Sequence, residues 1–225
     1  MRTKIGLGLL WVGFVVYAFN FAPPDQPDTL ELIVNLSAGQ WENINPTVVA
    51  LFNIMGVWPI AYTCVLLLDG RNQKIPAWPF ALGSFALGAF ALLPYLALRD
   101  PNASFSGRKN LLLRVVDSRW TGAVVTLATV ILLAGGITYG NWSDFCHQWQ
   151  TSRFIHVMSL DFCLLCLLFP LLLKDDMARR GLTQPGIFWA VSLVPMLGAA
   201  VYLAWRPPVQ EIEPTPGSTT ADNYP

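Results

Sequence analysis

The sequence predicts an all-α integral membrane protein, a polytopic helical bundle of about six transmembrane helices. Three observations predict this. Of the 225 residues, 54% are hydrophobic. Charged residues make up 12%, against about 25% in soluble domains. The apolar residues gather in stretches close to the ~20 that a helix needs to cross the ~30 Å hydrocarbon layer. Each stretch should be helical, because lipid offers free backbone groups no partner.

The first stretch, residues 5–22, follows Arg2 and Lys4 and shares features with a secretory signal. It is nearly of spanning length, and Phe21-Ala22-Pro23-Pro24 makes a poor cleavage site, so a retained helix is expected. The other expected spans are residues 48–68, 78–98, 120–139, 154–173 and 187–205. Trp58, Trp78, Trp120, Trp142, Trp189 and Trp205 mark several of their ends, as rings do at the water–lipid boundary. Pro59, Pro94, Pro170 and Pro195 each remove a backbone donor and should bend a helix. Residues 1–205 form one domain on this reading. The polar tail, residues 206–225, has no apolar period and is expected to be disordered.

Two connections carry their own helical pattern. Residues 28–37 read as a short surface helix capped by Asp28, with Leu30, Ile33, Val34 and Leu36 on an oily side; an ordered loop is the alternative. Residues 110–116 read as a second surface helix with basic ends suited to anionic lipid. Orientation does not resolve with six spans. The acidic first connection prefers the outside and the basic third connection the cytoplasm, and an even number of spans cannot satisfy both.

The second and third stretches resemble the fifth and sixth. Leu66-Leu67-Leu68-Asp69 pairs with Leu171-Leu172-Leu173-Lys174, and Ala97-Leu98-Arg99 with Ala204-Trp205-Arg206. A duplicated three-helix unit would give a 3+3 inverted repeat, the build of many secondary transporters. The alternative is that apolar helices resemble each other by composition alone.

Asp161 is the first candidate for function. A carboxylate at the centre of a span costs roughly 2.5–3.5 kcal/mol on insertion scales, so it must be paired, protonated or wet. It can relay protons or hold a cation, or it can fix packing by bonding another helix. His156 and Asn53 are further polar groups in or near spans. His147 and His156 are weighed as pigment or haem ligands and are more often surface hydrogen-bonders. Cys163-Leu164-Leu165-Cys166 has thiol-oxidoreductase spacing but lies deep in the apolar layer, where a thiolate is disfavoured. Ser84-x-x-x-Gly88, Gly136 and Gly140 permit close helix approach. No metal site, cofactor or catalytic constellation is identified, and no enzyme activity is expected. The net charge of zero leaves no footprint for nucleic acid.

Two phrases carry a resemblance. Phe52-Asn53-Ile54-Met55-Gly56-Val57-Trp58-Pro59 leads to Lys74-Ile75-Pro76-Ala77-Trp78-Pro79-Phe80. Later comes Ser152-Arg153-Phe154-Ile155-His156-Val157-Met158-Ser159-Leu160-Asp161-Phe162. Together they resemble an uncharacterised family of polytopic membrane proteins of cyanobacteria and plastids. The resemblance implies a photosynthetic membrane, thylakoid or plasma membrane, as the home. It also implies that Asn53, Trp58, Arg153, His156 and Asp161 matter. The expected function is an accessory or assembly factor docked beside a larger membrane complex. The alternative is a small transporter or channel for protons, cations or small solutes using Asp161.

Overall fold

The computed structural model describes residues 2–71, 73–105 and 107–211. Among these the secondary structure is helical, and four helices are long and apolar enough to cross a membrane. They are α1 (Arg2–Asn20), α3 (Pro46–Asp69), α7 (Arg119–Tyr139) and α9 (Arg153–Arg179). Short helices lie between them: α2 (Thr29–Ala38), α4 (Trp78–Leu87), α5 (Ala89–Leu98), α6 (Leu111–Val116), α8 (Trp142–Thr151), α10 (Pro185–Leu193) and α11 (Leu197–Trp205).

The third and sixth apolar stretches, expected as single spans, are each two short helices folded back on one another. α4 stops at Gly88, whose φ of 51° and ψ of −126° favour glycine. The chain then reverses. Gly83 faces Ala91, and the rings of Phe80 and Tyr95 lie 5.5 Å apart. In a straight helix a separation of fifteen positions would set that pair about 22 Å apart. α10 stops at Pro195, and Leu197 N–H donates to Pro195 O at 2.7 Å across Met196, whose φ is 64°. That is a γ-turn, and it folds α11 back until Gly198 meets Val191. A ten-residue helix is about 15 Å long, half of the hydrocarbon layer.

α3 and α9 pack side by side and run in the same direction. Phe52 meets Phe154, Tyr62 donates to Leu165 O at 2.6 Å, Trp58 meets Phe169, and Asp69 reaches Arg179. An inverted repeat requires the matched helices to run oppositely, so that arrangement is not the one present. α7 packs antiparallel on α3, with a Cβ on Gly136 coming 2.7 Å from Ala50 and Thr47 bonding Gly136 O at 3.3 Å. α1 packs antiparallel on α5. Pro94 leaves Phe90 O without its helical donor, and Trp11 Nε1 fills that place at 2.9 Å.

All connections therefore sort to two ends. One end gathers the start of α1, the close of α3 and α9, and both ends of each hairpin. Every Lys and Arg except Arg153 lies here. The other end holds residues 21–45 and 140–152, with Asp25, Asp28, Glu31, Glu42 and Asp144.

The basic end is held by buried ion pairs. Asp69 accepts from Tyr95 Oη at 2.8 Å and Arg99 Nη1 at 2.7 Å. Asp176 accepts from Tyr202 Oη at 2.7 Å and Arg206 Nη1 at 2.9 Å. The sequence separations are identical, 26 and 30 residues. Arg99 also pairs with Asp175, and Arg180 with Asp176 and Asp117. At the rim the exposed Lys4 ammonium hydrogen-bonds Asp100 and holds that carboxyl below the ordinary carboxylate range.

Two local expectations need correction. Asp28 precedes α2, but its carboxylate makes no capping bond; its main-chain oxygen accepts from Leu32 instead. The tail does not lose structure at Arg206. That residue is 1% exposed and bonds Cys64 O and Val116 O, while Val209 N–H donates to Asp117. Residues 212–225, where the rest of the disordered tail was expected, lie outside the described residues.

Candidate functional site

Because the first hairpin is short, the space beyond its tip toward the acidic end is bounded by α1, α3 and α9. It forms a cavity of about 460 Å³. Ser84, Gly88 and Phe90 from the hairpin make its floor, with Asp161 from α9. Phe52 and Met55 of α3 and Phe154 and Met158 of α9 make walls. Asp25, Thr29 and Arg153 also line it, at the acidic end.

Asp161 is 4% exposed. Oδ1 accepts the Ala89 N–H at 2.8 Å, and the Phe90 amide also points at the carboxylate. These are the first amides of α5. A helix leaves its first N–H groups unpaired and carries a partial positive charge there. Asp161 thus caps the helix that begins at the hairpin tip, which gives the carboxylate a structural partner. Gly88 makes the approach possible, since a Cβ there would overlap the carboxylate. Among the described residues no side chain donates to Asp161, so no cation neutralises it.

The other sequence-derived candidates separate. Arg153 shares the cavity with Asp161, but its Nε donates to Pro23 O at 3.1 Å and its N–H to Pro24 O at 3.2 Å. These bonds tie the α1–α2 connection to the start of α9. His156 lies outside the cavity lining. Its Nδ1 sits 2.8 Å from Trp149 O and its Nε2 2.8 Å from Tyr17 Oη. A carbonyl only accepts, so Nδ1 carries a proton. Both ring nitrogens are hydrogen-bonded within the protein. Asn53 turns back to donate to Val49 O of its own helix at 2.8 Å. Trp58 is 1% exposed and packs between Tyr62 and Phe169 in the core. His147 is exposed on α8. No group of three or more metal-ligating side chains occurs among the described residues.

The sequence reading did not single out Tyr17, or the Asp69, Asp175, Asp176, Arg99, Arg179, Arg180 and Arg206 network. The network had a signal: acids at the close of two apolar stretches, each followed 30 residues later by an Arg. Ser84 and Gly88 were noticed for packing, and the structure places them on the cavity floor. Comparison with protein-family models, curated proteins and solved structures finds no match.

Proposed function

We propose that this is a non-enzymatic, membrane-embedded protein that binds a small solute in the cavity beyond the first hairpin and carries it through the layer. Asp161 is the group the solute meets. The observation that supports this most is the cavity itself, ending on a deeply buried carboxylate that no described side chain neutralises. Ligand pockets of about 300–1,000 Å³ with few polar groups are the common form of small-molecule site. Broken helices at membrane depth occur where backbone is buried in protein or lines a cavity.

The charge distribution orients the reading. Lys and Arg favour the cytoplasmic side, so the basic end is assigned there and the acidic end outside. Both hairpins then enter from the cytoplasm and return to it. The unit α1–α5 recurs as α7–α11 in the same sense, as in parallel repeats related by an axis along the membrane normal. Equal spacing supports this: α3 and α9 begin 107 residues apart, and so do α4 and α10. Four full spans and two re-entrant hairpins remove the conflict that six spans create.

In proteoliposomes the parent should carry a current of small cations, organic ammonium ions among those supplied, that Asp161→Asn abolishes with helical content unchanged. No current in the parent, or equal current in the variant, would remove the carrier reading.

A second reading, an accessory protein of a photosynthetic membrane, keeps the support of the family resemblance. α1 and the residue after it add to it, since Leu9, Phe19 and Phe21 are left exposed and suit a neighbouring helix. Co-purification with a larger complex from gently solubilised membranes tests it; a chain that migrates alone counts against it.

A further inference from the structure

We propose that the ligand of the cavity is a monovalent organic cation with an apolar body, such as an aryl- or alkylammonium, its charged nitrogen against Asp161. This rests on the reading of the cavity as a solute site. Three observations choose the class.

The first is unbalanced charge. The Asp161 carboxylate meets the amides of Ala89 and Phe90 at the head of α5, and among the described residues no cationic side chain bonds it. The single cationic side chain in the lining, Arg153, is eight residues along α9, and its Nε is turned to Pro23. Eight helical residues span about 12 Å. A bound cation would supply the missing partner, and an anion would be repelled.

The second is the wall. The lining includes the aromatic residues Phe52, Phe90 and Phe154 and the thioether residues Met55 and Met158, with the Phe90 ring stacked on Phe14. Aromatic faces attract ammonium groups, and most strongly when water is excluded. A hydrated inorganic ion instead needs several oxygen ligands gathered around it; on the floor beside Asp161 the other hydroxyl residue is Ser84, which is bonded to Ala81 O, while Asp25 and Thr29 lie at the acidic end and bond each other.

The third is the approach. Asp25 lines the cavity, and Asp28, Glu31, Glu42 and Asp144 share its end of the molecule with Arg153 as the one base. Such a field concentrates cations at the mouth.

The site is single. The position 107 residues before Asp161 is Ile54, a core residue, and the second hairpin turns at Met196 with no carboxylate at its tip. On the matching faces of α3 and α9 the halves also differ. Thr47 and Ala50 receive the glycine face of α7, while Phe154 and Val157 line the open cavity.

The test uses the full chain in detergent and calorimetric titration with three water-soluble probes: phenyltrimethylammonium, benzyl alcohol and benzenesulfonate. The cation should bind at least about tenfold more tightly than either other probe, a difference of about 1.4 kcal/mol. Asp161→Asn should remove that preference and leave benzyl alcohol binding unchanged; the amide oxygen can still accept the Ala89 N–H. Gly56→Trp, at a wall position where a Cβ meets nothing within 4 Å, should block all three probes. Equal binding of the three probes, blocked by Gly56→Trp, would overturn the cation assignment and leave the cavity as a solute site. No binding of any probe to the parent would overturn both. The probe comparison on the parent decides the matter even where Asp161→Asn does not fold.

Discussion

Asp176 joins Arg180, Arg206 and Tyr202 in one fully buried cluster. Removing one member of a buried ionic group strands its partners and costs roughly 3–5 kcal/mol. Asp176→Ala should therefore lower the thermal midpoint in detergent far more than Lys4→Ala. The Lys4–Asp100 pair is exposed at the rim, and exposed pairs contribute about 0–1 kcal/mol. Equal midpoints for the two variants would contradict the cluster's role. Gly88→Ala should be harsher than Gly181→Ala. Both glycines have positive φ, but a Cβ at Gly181 meets open space and one at Gly88 meets the Asp161 carboxylate. Backbone strain alone is worth about 1–3 kcal/mol, so Gly181→Ala should stay within that range and Gly88→Ala exceed it in denaturant titration. At this scale the sequence was partly legible. Asp161 stood out because charge is rare in an apolar run. Its dependence on Gly88 and Ala89, 73 and 72 residues earlier, follows from tertiary folding and has no local signal.

The elements divide by how much information hydropathy carries. Four spans were readable because a long apolar run has one stable form in lipid. α2 was readable from a one-sided pattern within a connection, and α6 from a short apolar run with basic residues at its ends. α8 was missed, since Trp142, Phe145 and Trp149 are spread among polar residues and a short polar helix leaves little trace. The hairpins were missed for a different reason. Ten apolar residues, a break and ten more apolar residues have the same hydropathy as one span of twenty. The break was in view at Gly88 and Pro195, but a glycine can also be a packing contact and a proline a kink. Close glycine contacts hold the long helices to their neighbours. A Cβ on Gly122 would overlap the backbone of Leu203 and Ala204 in α11. Gly122→Val should thus separate α7 from the second hairpin and raise amide exchange in α11 while leaving α5 protected; equal exchange in both hairpins would contradict this packing.

At the scale of the whole molecule, one arrangement accounts for charge, depth and cavity together. Parallel α3 and α9 bring Asp69 and Asp176 to the same end, where each closes a hairpin through a Tyr and an Arg at identical spacing. Short hairpins leave part of the layer unfilled, and over the first hairpin that space is the Asp161 cavity. The sequence likeness between the halves was visible in Ala97-Leu98-Arg99 and Ala204-Trp205-Arg206. Its sense was not, because three-helix units of either sense share the same hydropathy. Sidedness tests this most directly. Single cysteines at exposed Lys74, Ala103, Thr183, Gln210, Gln40 and Ser143 would be placed in a chain whose four native cysteines are replaced. A membrane-impermeant thiol reagent would then be applied to sealed vesicles of known orientation. The first four positions should label from one side and Gln40 and Ser143 from the other. Labelling of positions 74 and 103 from opposite sides, or of 183 and 210, would mean the hairpins cross the membrane and would contradict the account.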